Sequence, residues 1–196
     1  MLRPKSPFFW FVLAVLLIAG LTAIGPEERT LGENVRIVYL HGAWVLTAEI
    51  ALALAGLVGL LGILFRRETA HRWSSALGRT GMFFWVTYLP LSLWAMQANW
   101  NGMFLAEPRF RLAVIFAVTG VLLQIGLTLV GKPVVTSLAN VLFFVALEIS
   151  LRRADYVMHP PPSPIFSSGA LSIQLYFVGL IFLTLAAAYY MTRWWL

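Results

Sequence analysis

Three histidines occur in the chain, and two of them stand where they could bind a metal-centred cofactor. His41 opens a long apolar segment, Val38-Tyr39-Leu40-His41-Gly42-Ala43-Trp44. Trp44 follows one helical turn on and Glu49 two turns on, on roughly the same face. His159 stands in Tyr156-Val157-Met158-His159-Pro160-Pro161-Pro162, where the prolines restrict the backbone and help to fix where the ring points. A neutral imidazole is a good ligand for heme iron, and a pair of them gives a low-spin heme. His41 and His159 are therefore candidate axial ligands of a non-covalent heme b. Either one alone is equally at home as an interfacial histidine beside an aromatic-belt tryptophan. Their position on one side of a membrane is what favours a ligand role.

The segment between them, Trp94 to Arg109, is aromatic and amphipathic. A porphyrin needs a flat apolar platform, which Trp94, Trp100, Met103 and Phe104 could supply. Its propionates need cations, and Arg109, Arg152 and Arg153 are candidates because guanidinium meets carboxylate in a bidentate fork. The same segment also fits an interfacial anchor for helix ends. Lipid headgroups, Asp155 or Glu107 would equally serve the two arginines. Glu49 and Glu148 fall inside apolar stretches, where a carboxylate is costly and a functional candidate. Glu148 stands one turn before Arg152 and could simply reach toward it. The chain lacks a phosphate-binding glycine loop with lysine, HExxH and GxSxG. With no cysteine, disulfides and thiolate metal sites are excluded as well.

These residues must be positioned by membrane helices. Of 196 residues, 60% are hydrophobic and 11% charged, and the mean hydropathy is +0.84. A soluble domain is about one quarter charged. Crossing the hydrocarbon core takes roughly 20 apolar residues. Six segments qualify, at 8–24, 37–65, 80–97, 112–131, 134–151 and 171–192. The first follows Arg3 and Lys5 and is long for a signal h-region, so a retained first span is expected. The expected organisation is a single all-α, polytopic membrane domain over 1–196, because no segment between spans is long enough to build a core of its own.

Charge sets the expected orientation. The N-terminus, the 66–79 connector, Gly131-Lys132-Pro133 and the C-terminus carry eight cations against one carboxylate. The alternate connections carry six against five. The more basic set should be cytoplasmic, with both termini inside. His41, the Trp94–Arg111 region and His159 then share the outer face, and His71 the inner one. The net charge of +6 is accounted for by topology and anionic lipid, without nucleic acid. The spacing of Gly56, Gly59 and Gly62 predicts close helix packing.

This arrangement resembles the CcmC-type heme-handling membrane proteins of cytochrome c maturation. Arg36-Ile37-Val38-Tyr39-Leu40-His41-Gly42-Ala43-Trp44 is similar to the family's motif at its first heme histidine, and His159 occupies the place of the second. The stretch from Trp94 to Arg109 looks like a worn form of the family's WWD motif. It keeps a Leu-Trp-Ala opening, Trp100 and an acidic-Pro-basic ending at Glu107-Pro108-Arg109. Met103, Phe104 and Ala106 stand where the family has further tryptophans, Glu107 replaces its aspartate, and Asn101 replaces its glycine. The resemblance implies a protein of the bacterial-type cytoplasmic membrane that binds and transfers heme at the periplasmic face without covalent catalysis. It implies an ATP-binding-cassette heme-release complex and a periplasmic heme chaperone as partners. The worn loop leaves open an accessory subunit of a larger membrane redox complex, either carrying heme b for electron transfer or free of heme.

Overall fold

A computed structural model of the chain describes residues 6–154 and 164–196. These form α1 (Pro7–Ala23), α2 (Val35–Phe65), α3 (Glu68–Trp100), α4 (Pro108–Val130), α5 (Pro133–Arg153) and α6 (Leu171–Trp195), with no strand among the described residues. Their ends are locally encoded. Proline begins α1, α4 and α5, where its missing N–H costs nothing. Gly131, Arg66 and Asn101 take left-handed backbone just past α4, α2 and α3.

Four helices, α2, α4, α5 and α6, are long and apolar enough to cross a membrane, and α1 is apolar but shorter. Their outward faces are apolar as well, with Leu129 83% and Phe182 68% exposed. A soluble protein avoids such contiguous apolar surface, whereas lipid accommodates it. The chain is thus an all-helical, membrane-type protein.

The antiparallel pair α2–α3 is the spine. α5 packs on both members, α4 on α3 and α5, and α6 on α2 and α3 with α1 against its flank. Neither α4 nor α5 packs closely on α6 among the described residues. The glycine spacing on α2 does what it predicts. A Cβ at Gly59 would lie 2.8 Å from Ser74 Oγ and 3.0 Å from the Ser137 carbonyl, and one at Gly62 would lie 2.9 Å from His71 Nδ1. Side chains of α3 and main chain of α5 therefore sit directly on the α2 backbone. In that notch Ser74 Oγ donates to the Ala55 carbonyl at 2.8 Å. Asn140 Nδ2 donates to Ser74 Oγ at 3.1 Å, and Gln124 Nε2 donates to Asn140 Oδ1 at 3.0 Å. Nearby His71 Nδ1 meets Ser137 Oγ at 2.7 Å.

The connector expected over 66–79 is not a loop. Only Arg66 and Arg67 separate α2 from α3, the turn being closed by Arg67 N–H on the Gly62 carbonyl. Residues 68–79 are too polar to read as a span, but His71, Ser74 and Gly78 are turned inward and matched there. α3 likewise runs past the expected end at Gln97 to Trp100.

The connection after α1 is organised by Glu28 and Arg36. Arg36 Nε donates to the Gly25 carbonyl at 2.9 Å, and its guanidinium pairs with Glu27 at 3.2 Å. The Glu28 carboxylate accepts the N–H groups of Thr30 (2.9 Å) and Leu31 (3.0 Å), which hold its pKa below the ordinary carboxylate range. A depressed folded pKa contributes order that is complete above the unfolded value of about 4.3 and is lost as pH falls through the lower folded value. Protection of the Thr30 and Leu31 amides, taken as exchange relative to the intrinsic rate at each pH, is therefore expected to fall on acidification through the lowered value. In Glu28→Gln that protection should no longer change with pH, whereas a pH response that survives in Glu28→Gln would assign the effect elsewhere.

Candidate functional site

His41 lies in the second turn of α2, half-buried, with its ring centroid 5.6 Å from that of Tyr88 on α3. Trp44 is no belt residue. It is buried, its Nε1 donates to Thr87 Oγ1 at 2.8 Å, and its ring lies 4.6 Å from Phe84. It bolts α2 to α3 directly beneath His41. A further clip holds the tip of the pair: Asn34 Nδ2 donates to the Ala98 carbonyl (2.9 Å), and Asn99 Nδ2 donates to the Asn34 carbonyl (3.3 Å).

Beside His41, a Cβ at Gly42 would lie 3.2 Å from the Phe177 ring and 4.0 Å from Ile165 Cδ1. Ile165 belongs to the connection between α5 and α6 that carries His159. His159 itself lies outside the described residues. The described part of its connection thus reaches the residue next to His41.

Glu107 and Arg109 have distinct local roles. Glu107 is the N-cap of α4, its carboxylate accepting Phe110 N–H, with Pro108 at the first helical position. The acidic-Pro-basic ending is in this fold a helix-start signal. Arg109 follows in the first turn, half-buried and within electrostatic range of Glu49 on α2 and Tyr88 on α3. Glu148 on α5 also lies within range of Glu49. Glu49 therefore lies within electrostatic range of Tyr88, Arg109 and Glu148, each on a different helix. Tyr88 was missed in the sequence because one tyrosine inside an apolar stretch carries no spacing signal. Glu49 and Glu148 were marked only as isolated carboxylates.

The remaining candidates disperse. Arg152 is held by Glu148, Nε to Oε2 at 3.2 Å, and Arg153 is exposed at the last position of α5. Trp94, Trp100 and Phe104 are all exposed. Trp94 and Trp100 sit six residues apart on the continuous α3, hence roughly 120° apart around its axis. The helix separates what a loop would have gathered, and the two do not form one flat wall. Phe104 lies in the short turn beyond, against the place a Gly102 Cβ would fill at 3.7 Å.

A b-type heme asks for an imidazole, apolar walls and a cation for its propionates. The described donor set fits in kind: His41 supplies the imidazole, Tyr88 lies beside it, Phe177 packs against the neighbouring Gly42, and Arg109 supplies a half-buried cation at the same end of the bundle. Compared with known proteins, the chain matches no family model, no curated protein and no solved structure.

Proposed function

We propose that the chain is a six-span protein of the bacterial-type cytoplasmic membrane, with both termini on the cytoplasmic side, that holds heme b at the opposite face and hands it on for cytochrome c maturation. The observation that carries the reading is the seating of Ile165, from the connection bearing His159, against Gly42 beside His41. It favours two imidazoles at one end of the bundle. The six-span reading is supported by α3, whose polar residues His71, Ser74 and Thr80 are buried in the bundle and spared from lipid. The 17 residues of α1 reach about 25 Å, short of the roughly 30 Å core by less than one turn. Orientation rests on the basic connections.

When bound, the heme would supply the iron centre that is delivered to an acceptor. His41 and His159 would hold it as neutral imidazoles, so acidification that protonates them releases it. Arg109 would orient it by pairing with a propionate, and Arg152 and Arg153 offer further cations at the rim. The exposed Trp94, Trp100 and Phe104 offer an apolar edge to the porphyrin or to an acceptor. The partners this reading calls for are an ATP-binding-cassette heme-release complex and a periplasmic heme chaperone. The separation of Trp94 from Trp100 favours a second reading, in which the protein is an accessory subunit of a membrane redox complex that retains heme b for electron transfer or carries none.

The test is an absorption spectrum of the detergent-purified protein, oxidised and dithionite-reduced, for wild type, His41→Ala and His159→Ala. A low-spin b-type spectrum is expected in wild type, becoming high-spin or vanishing in both variants. Transfer to an added apo-acceptor supports handling, whereas stoichiometric, reversibly reducible heme that stays bound supports the electron carrier. Wild type that takes up no heme even from added hemin would sink both and leave the heme-free subunit.

A further inference from the structure

At the opposite end of the bundle from His41, we propose that a groove between α3, α4 and the end of α6 binds one anionic phospholipid, with its phosphate on Arg79 and an acyl chain along the groove. The groove is shallow and open, with a volume of about 460 Å³. α3 forms its floor through Met82, Phe83 and Val86, α4 one wall through Val121 and Ile125, and Trp195 closes one end. The α4 and α6 backbones do not pack closely on one another among the described residues, so the groove lies between them as an open surface feature.

From Thr87 back to Arg79 is eight residues of helix, about 12 Å; the lining along it is mostly apolar, with Thr87 and Gln124 as neutral polar interruptions, and Arg79 is its one charged residue. Arg79 is half-buried, its guanidinium carbon 5.7 Å from the Trp195 ring centroid and its Nη2 3.5 Å from Thr128 Oγ1. Both partners are neutral, and no carboxylate lies within ion-pair distance of Arg79 among the described residues. A cation in an apolar setting is costly without a counter-charge. The charge of the neighbourhood points the same way. Arg66, Arg67, Arg72, Lys132 and Arg193 share this end with Glu68 as the one acidic side chain among the described residues there. An apolar trough ending in an unneutralised guanidinium complements an amphiphile whose head is a phosphate. A free phosphate ion would leave the trough without a role.

Native mass spectrometry of the purified chain with phosphatidylglycerol or phosphatidylcholine of identical acyl chains tests this. Wild type should retain one phosphatidylglycerol about fivefold more tightly than phosphatidylcholine, the effect of roughly one basic contact at a membrane surface. Arg79→Gln should remove that preference, and Lys132→Gln, exposed at the same end, should leave it unchanged. Ile125→Trp, which fills the groove from its open side, should lower retention of both lipids. Equal retention of the two lipids by wild type overturns the proposal. So does a preference that survives Arg79→Gln or is lost equally in Lys132→Gln, since that would be the basic end acting as a whole. If Arg79→Gln does not fold, Ile125→Trp decides: undiminished phosphatidylglycerol binding overturns the site.

Discussion

Trp85→Ala is expected to cost about 3 kcal/mol and to lower the melting temperature by roughly 6–12 °C in detergent. Trp85 is 1% exposed, its Nε1 donates to the Ala113 carbonyl at 3.1 Å, and its ring stands edge-on to Tyr88 at 5.0 Å. Truncation of a buried tryptophan typically costs about 3–5 kcal/mol. The low end applies because lipid is as apolar as the core, so the loss comes from dispersion contacts and the cavity and little from water exclusion. Trp85→Phe keeps most of the volume and loses mainly one hydrogen bond, so about 1 kcal/mol is expected. The functional consequence follows from position. Ala113 is one turn beyond Arg109, and Tyr88 is the ring against His41, so Trp85 supports both sides of the candidate heme site. Thermal melts of the three proteins check this, and a Trp85→Ala shift below 1 kcal/mol would mean that α4 is held to α3 elsewhere.

Gly59→Val is expected to cost about 3 kcal/mol, the upper part of the overpacking range. Its Cβ alone would meet Ser74 Oγ at 2.8 Å and the Ser137 backbone at 3.0 and 3.2 Å. Ser74 can turn away only by giving up the Ala55 carbonyl and Asn140, and Ser137 is main chain of α5. The α5 helix must therefore move outward, which also stretches the His71–Ser137 contact. Gly126→Val is the matched control. Nothing lies within 4 Å of its Cβ position, so the change should stay within about 0.5 kcal/mol. Reversible unfolding of the two variants in mixed micelles distinguishes them. Equal stability would show that the α2–α5 contact is looser than these distances.

The ends of α1, α4 and α5 carry local signals in the sequence. Proline at the first turns of α1, α4 and α5 and glycine after α4 restrict backbone angles whatever the surroundings. The membrane character was legible for a similar reason, since α2, α4, α5 and α6 carry their apolar surplus within single uninterrupted segments. Likewise the glycine spacing on α2 marked the close contact, as only a missing side chain lets a backbone approach that near.

The parts of the candidate site were less legible. Residue types marked His41, Arg109 and the two intramembrane carboxylates, but a hydropathy reading averages over a helix and cannot say which face is buried. It therefore cut α3 at Thr80 and Gln97, although the polar residues outside that interval are sheltered by α2 and α5 or clipped to the tip of α2. The same averaging made Trp44 look like a surface anchor when its indole is spent on Thr87.

What the sequence determined by itself was the membrane class of the protein and the run of apolar helices along it, because both depend on composition or on neighbours within one turn. Only the tertiary structure decided that Tyr88 backs His41, that Glu148 and Arg109 come within electrostatic range of Glu49, and that Trp94 and Trp100 diverge around α3. Those outcomes depend on how far each helix continues and on which faces meet across the bundle. Both are set by packing between segments that are distant in the chain.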